Sequence, residues 1–459
     1  MASHKRDFTE GRLFVPMLLF ALPIMASGFL QMLYNAADKM VVGQFTENAT
    51  ALGSISSTTS LTSLLTAFAL GLSAGAGVAV ARRFGAKNDL ALSRAVHTVF
   101  AVGLIVGGVL GIGGFLLSSP LLRLIDTNPD LFAGALLYMR IICLGLPASI
   151  LYNFGASVMR SVGNSRVPLF ILGITGFLNV LFNLLFVLVF HMTVDGVAYA
   201  TIISQYASAL WVWFLLSRRT DAVCFRFAGL CLDRGVLSEI LKIGLPSGVQ
   251  ASLAAVSNVI VQRGVNTFSK EVITGISVAG SIEGFTSVAM EAFSQAQLTV
   301  TGQNTGAKKP ERVKKTLYFG LLQGTVTGIL VGYGCFLFST PLGALFVDTA
   351  LPEADVILHA AWQHNCVVLT TYFLLAINNT LVAHLRGRGC AIPPMIVSIL
   401  CTCVFRCIYV LCVFLPFLPR TIFSLYICWP LAWVLGICFH SLSLFRLNRR
   451  EKKEAAKIL

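Results

Sequence analysis

"ALPIMASGFLQMLYNAADKMVVGQF", residues 21–45, has a second copy in the same chain: "GLPSGVQASLAAVSNVIVQRGVNTF", residues 244–268. In that register Pro23 meets Pro246, Asn35 meets Asn258 and Phe45 meets Phe268. Two further pairs keep the register with small loop insertions. "FGAKND" from Phe84 matches "TGAKKP" from Thr305, and "MRSVGNSRVP" from Met159 matches "LRGRGCAIPP" from Leu385. The chain is an internal duplication.

The first copy closes an apolar run that starts near Leu13, and about twelve such runs follow one another, each roughly 20 residues or more and long enough to span a bilayer as a helix. Hydrophobic residues make up 56% of the chain and charged residues 12%, with a mean hydropathy of +0.80. A soluble protein of this length needs far less apolar surface. Six runs fall in each copy. Because six is even, both copies run in the same direction, related by an axis along the membrane normal. The expected fold is therefore an all-α membrane protein of twelve transmembrane helices in two pseudo-symmetric six-helix bundles. Its boundaries are an N-terminal lobe at 1–220, a basic linker at 221–242, and a C-terminal lobe with a basic tail at 243–459.

The net charge of +14 is a matter of topology. With a cytoplasmic N-terminus, most of the 34 basic residues fall on the cytoplasmic side, among them Lys5, Arg6, Arg82, Arg83, Lys308, Lys309, Arg449, Arg450 and Lys457. The outer loops carry Glu47, Asp195, Asp348, Glu353 and Asp355 instead. This is the positive-inside pattern. It predicts a multi-pass protein of the cell (inner or cytoplasmic) membrane with both termini cytoplasmic. The excess charge faces anionic lipid rather than nucleic acid. "MASHKRDFTEGRLF" lacks the short apolar core and cleavage site of a signal peptide, so the first run is expected to act as its own insertion signal. The twelve cysteines show no zinc spacing; Cys401, Cys403 and Cys407 read as small buried hydrophobes.

Within this apolar background a few polar groups stand out. Gln31, Asn35 and Asp38 are spaced i, i+4 and i+7, so they share one helix face. A charge at mid-helix costs about 2.5–3.5 kcal/mol on insertion scales, and it needs a reason. Lys39 points about 100° away and can snorkel to the outer interface, which disfavours a purely structural pair with Asp38. Asp38 is therefore the candidate for exchanging a proton or holding Na⁺. Asn179 and Asn183 share a face of the fifth helix, and Thr201 and Gln205 lie on the sixth. These amides and hydroxyls can hydrogen-bond a carboxylic acid or give oxygens to sodium, or they can simply join helices. The second copy has Val261 where the first has Asp38. Its charge comes from Glu283 and Glu291 on the eighth helix, with Gln295 one turn beyond. They read as acids that attract a cationic substrate, against the plainer reading of ion pairs with Arg263 or Arg406. Arg406 and His384 read as structural. Met290 and Met32 are candidates for adaptable contacts to flat aromatic cations. "GLSAGAG" at Gly71 reads as close helix packing, since no Gly-Lys-Ser/Thr follows it.

Six pieces carry a resemblance to a known family. They are "LPIMASGFLQMLYNAADKMVVGQF", "GLSAGAGVAVARRFGAKN", "VMRSVGNSRVP", "GFLNVLFN", "SIEGFTSVAMEAFSQAQLTVTGQNTGAKKPERVKK" and "LRGRGCAIPPMI". In this order the chain resembles the multidrug and toxic compound extrusion (MATE) transporters over nearly its whole length, and members from Gram-positive anaerobes most. The resemblance implies two bundles arranged as a V around a central cavity. It also implies efflux of amphipathic, mostly cationic drugs or toxins in exchange for H⁺ or Na⁺, by alternating access. Asp38 falls where the family carries its first-helix acid. The family pattern on the fifth helix is Asn followed four residues later by Asp, and this chain has Asn183 there. Ala254 lies where some members have an acidic cation ligand.

The resulting expectation is an ion-coupled antiporter with no enzyme activity. It would have no cofactor besides the coupling ion, its partners would be small molecules and membrane lipid, and it would act as a monomer. Asp38, Asn35, Asn179, Asn183 and Thr201 would couple the ion. Gln31, Gln205, Glu283, Glu291, Gln295 and Met290 would bind substrate. The alternative is a flippase for a lipid-linked saccharide, whose cavity would present several intramembrane Arg or Lys to a pyrophosphate. A membrane enzyme would need clustered His or acids, and the histidines are scattered. A passive channel is disfavoured by the duplicated, Pro-interrupted helices.

Overall fold

The computed structural model describes residues 6–45, 49–349 and 352–456. Lys5, Glu47, Lys457 and the side chain of Lys39 lie outside the described residues. Among the described residues, twelve helices are long and apolar enough to cross a membrane: α1 (Phe14–Val42), α2 (Gly53–Gly85), α3 (Asp89–Leu124), α4 (Pro129–Ser161), α5 (Arg166–Val189), α6 (Val194–Ser217), α7 (Arg234–Val265), α8 (Lys270–Gly306), α9 (Pro310–Leu337), α10 (Ala354–Gly387), α11 (Ile392–Phe417) and α12 (Ile422–Glu454). Among the described residues there are no strands.

The duplication is visible in the backbone of the turns. Lys87, in "FGAKND", and Lys308, in "TGAKKP", both sit in the left-handed region at φ 54°. Gly163 and Gly389, in the other repeated turn, have φ 83° and 80°. The glycines spare these last two turns the Cβ clash that φ > 0 imposes. After the first turn, Asn88 accepts from the Ala91 N–H at 3.0 Å and caps α3, as a short polar side chain does at an N-cap. Both copies also place a proline inside their first helix, Pro23 in α1 and Pro246 in α7.

Contacts divide the chain into two compact units at places other than the ends of the repeat. The first holds the residues up to Glu10, then Leu22–Gly248 and Gly302–Lys308; the second holds Gly11–Ala21, Val249–Thr301 and Lys309 onward. So α1, α7 and α8 each give one part to either unit.

In the first unit, small residues let backbones meet. A Cβ on Gly71 or Gly75 would fall 2.3 Å from Gly248 N or 2.6 Å from Gly244 N, so two small-xxx-small faces pack α2 on the start of α7. Nearby, Glu239 accepts from Arg82 at 2.6 Å and Arg83 at 2.7 Å. The segment between α6 and α7 is packed down rather than loose. Phe225 is 1% exposed and stacks on Phe100 at 4.2 Å, and the Arg226 N–H donates to His97 Nε2 at 3.2 Å. Gln303, fully buried, accepts from the Phe8 N–H at 2.9 Å and donates to the Ser161 carbonyl at 2.7 Å.

In the second unit α9, α10 and α12 pack through Gly324, Gly328, Gly332 and Gly436, whose added Cβ atoms would press on α10. His384 is buried at 1% exposure and shares hydrogen bonds of 3.2 Å with Gln297 and Thr301 of α8. It is a tie between α8 and α10.

Candidate functional site

The face Gln31–Asn35–Asp38 opens into a cleft inside the first unit, with a cavity volume of about 110 Å³. Tyr34 lies on the same wall. Asn179, Thr175 and Gly176 of α5 line it, as do Thr201, Ser204, Gln205 and Ser208 of α6 and Ser149, Tyr152 and Asn153 of α4. The structure thus brings together Asp38, Asn35, Asn179, Thr201, Gln31 and Gln205 from three helices. Asn183 completes the set from behind: fully buried, its Nδ2 donates to Asp38 Oδ1 at 2.5 Å.

The seat of α1 on α5 depends on a missing side chain. A Cβ on Gly176 would lie 1.8 Å from Tyr34 Cε2, so only glycine admits the tyrosine ring there. The Tyr34 hydroxyl then donates to the Gly173 carbonyl at 3.0 Å. Behind the cleft wall Ser208 donates to Thr175 Oγ1 at 2.8 Å, joining α5 to α6. Three buried oxygens in this region, Asn183 Oδ1, Ser204 Oγ and Gln205 Oε1, have no hydrogen-bond partner. Such atoms are costly unless something binds them. The two amide oxygens are acceptors and the hydroxyl can accept, which suits an acid proton or a hard cation.

Sequence reasoning missed Tyr34, Ser149, Tyr152, Asn153, Thr175, Ser204 and Ser208. The signal for two of them was present. Ser149 and Asn153 are an i, i+4 polar pair in an apolar run, the same pattern that drew attention to Gln31 and Asn35.

The acids of the second unit have a different setting. Glu283 Oε1 accepts from the Tyr372 hydroxyl at 3.1 Å, and its other oxygen lies 3.9 Å from His364 Nε2. His364, 2% exposed, packs edge-on against Tyr426 at 4.2 Å. Arg406 does not pair with Glu283. Its Nη2 donates to Asn258 at 3.0 Å, and its guanidinium lies 3.8 Å over the Trp429 ring. Glu291 is exposed and accepts from Gln295 at 2.9 Å. Met290, expected to touch substrate, is 2% exposed; packing on the buried face of α8 leaves it no surface for a ligand. Among the described residues no group of three or more His, Cys, Asp or Glu could hold a metal ion.

Residues 23–185 and 246–411 match the MatE family, once in each copy, and the chain belongs to that family of multidrug efflux transporters. Its relatives include the probable multidrug resistance protein YoeA of Bacillus subtilis, 26% identical over 83% of each chain. The probable multidrug resistance protein NorM of Thermotoga maritima is also 26% identical, over 83% of this chain and 82% of its own. In three dimensions the chain is similar to an outward-facing multidrug resistance MATE transporter, with a TM-score of 0.89 at 20% identity, covering 97% of this chain and 99% of the other. A Pyrococcus furiosus transporter with a TM-score of 0.87 and 21% identity matches 98% of this chain and 99% of its own. That protein is described as having a binding pocket of reversed polarity that suggests a different function. A shared fold by itself therefore does not fix function. This chain is a multi-pass membrane protein of the transporter class.

Proposed function

We propose that the protein is a secondary active antiporter that exports amphipathic, mostly cationic compounds in exchange for H⁺ or Na⁺. It would work by alternating access in the cell membrane, with both termini cytoplasmic. The observation that carries this reading is the Asp38–Asn183 pair at the wall of the polar cleft. As a carboxylate, Asp38 accepts the Asn183 N–H. Once neutralised by a proton it can instead donate, and the Asn183 carbonyl oxygen beside it has no partner. Sodium would use the same oxygens, with Asn35, Asn179 and Thr201 within the cleft wall. Either event changes how α1 is fastened to α5, and so links ion binding to the position of a helix.

Gln31 and Gln205 would meet substrate at the cleft. Glu283, Glu291 and Gln295 in the second unit would favour cationic cargo, since carboxylates out of bulk water attract a monovalent cation. The decisive experiment is efflux of a fluorescent cation from everted vesicles with a proton or a sodium gradient imposed separately. Transport should follow one of the two gradients, and Asp38→Asn at equal expression should not respond to it. Wild-type transport by that variant would sink the proposal.

A further inference from the structure

The outer face of α12 changes character along its length without changing direction. At 100° per residue, Leu435, Phe439 and Leu442 fall on one stripe; they are 36%, 49% and 43% exposed. Continuing down the same stripe come Arg446, Arg449, Arg450 and Lys453, all exposed. The whole set lies within an arc of about 100°. The four cations and Glu454 line one recess.

The opposite side of the same helix segment is fixed. The Arg388 side chain, 7% exposed, donates to Asn448 at 2.7 Å and to Glu451 at 2.5 Å. Those two residues project roughly opposite to the basic stripe. These bonds tie the helix beyond its apolar part to Arg388 and leave the basic stripe facing outward. Of the four cations, Arg450 is partly offset by Glu454 at 2.8 Å. No described acid pairs with Arg446, Arg449 or Lys453.

We propose that this stripe is a binding site for one anionic phospholipid. Its acyl chain lies along Leu435, Phe439 and Leu442, and its phosphate sits among the four cations. The continuity of the two parts argues for that occupant. A soluble anion would need only the recess, and a neutral lipid only the apolar stripe. Fixed cations at a bilayer surface favour anionic headgroups, and their long stems let the charges reach the phosphate while packing on apolar surface.

The test uses the purified full-length chain in mixed micelles of phosphatidylglycerol and phosphatidylcholine, with bound lipid counted by native mass spectrometry. The wild type should retain one phosphatidylglycerol in preference to phosphatidylcholine. The quadruple variant R446Q/R449Q/R450Q/K453Q changes only exposed side chains, and should lose that preference by roughly tenfold or more. Leu442→Glu, with all four cations intact, should weaken retention as well. The control K314Q/K315Q, which removes two other exposed lysines, should not. Full retention by the quadruple variant would overturn the site. So would binding that survives Leu442→Glu and is displaced equally by inorganic phosphate, because that result describes an anion recess rather than a lipid site. Neither outcome depends on efflux activity.

Discussion

The two copies of the duplicated unit join their first and fifth helices through polar side chains, and the chemistry of the two joints is opposite. In the first copy α1 and α5 meet through Asp38 and Asn183, an acid on the wall of an open cleft. In the second copy α7 and α11 meet through Asn258 and Arg406, a cation 4% exposed beneath Trp429. Asn258 is the repeat counterpart of Asn35, while the counterpart of Asp38 is Val261. Both copies join the same pair of helices through polar groups, but about one turn apart in the repeat register and with different chemistry. A buried guanidinium held by an amide and a ring is a fastener. An acid held by one amide beside acceptors with no partner is what the proposed coupling requires.

The comparison predicts unequal responses. The largest is Asp38→Asn, which should reduce gradient-driven efflux to the level of vesicles with no gradient imposed, while the protein remains monodisperse. Its opposite number, Arg406→Leu, should cost about 1.5–3 kcal/mol for the lost charged hydrogen bond. That cost should be read as a lower melting temperature in detergent, with coupling kept in the surviving protein. If Arg406→Leu kept its stability and lost coupling, the contrast between fastener and switch would collapse. Gly176→Ala should cost about 1–3 kcal/mol through overpacking against Tyr34 and should lower transport as α1 is pushed off α5. Among the acids of the second unit, Glu283→Gln and Glu291→Gln should weaken binding of a cationic dye roughly fivefold, about 1 kcal/mol. A neutral dye should be little affected; equal losses would assign both acids to structure. Smallest is Tyr34→Phe, which removes one interhelical hydrogen bond worth about 0.6 kcal/mol and should leave efflux near the wild-type level.

Much of this contrast could be read before any coordinates. Repeated turn sequences call for repeated backbone, so aligning "FGAKND" with "TGAKKP" and "SVGNS" with "GRGCA" anticipates two turns that recur with matching positive φ. Helical periodicity places Gln31, Asn35 and Asp38 on one face because those spacings are local. What periodicity cannot give is the partner across the gap. Nothing in "GFLNVLFN" says that Asn183 rather than Asn179 bonds Asp38. That choice depends on how far α5 slides along α1, which Gly176 and the Tyr34 ring settle. Likewise Glu283 and His364 are far apart in the chain and belong to no motif. Their approach follows from the packing of α8 on α10, and the plainer alternative of an ion pair with Arg406 is not made, because the guanidinium reaches Asn258 and Trp429 instead.

Gln303 has a consequence for how the protein is made. Its amide holds both Phe8 and the end of α4 at Ser161, so the first unit stays unfinished while α4 through α6 are already in place. Ser161 and Gln303 are 142 residues apart, and at about 5–20 residues per second a ribosome needs on the order of ten seconds to cross that distance. During that interval the Gln303 amide is not yet there to accept from the Phe8 N–H and donate to the Ser161 carbonyl. The N-terminal half therefore receives this last hydrogen-bonding partner only with the eighth helix of the chain.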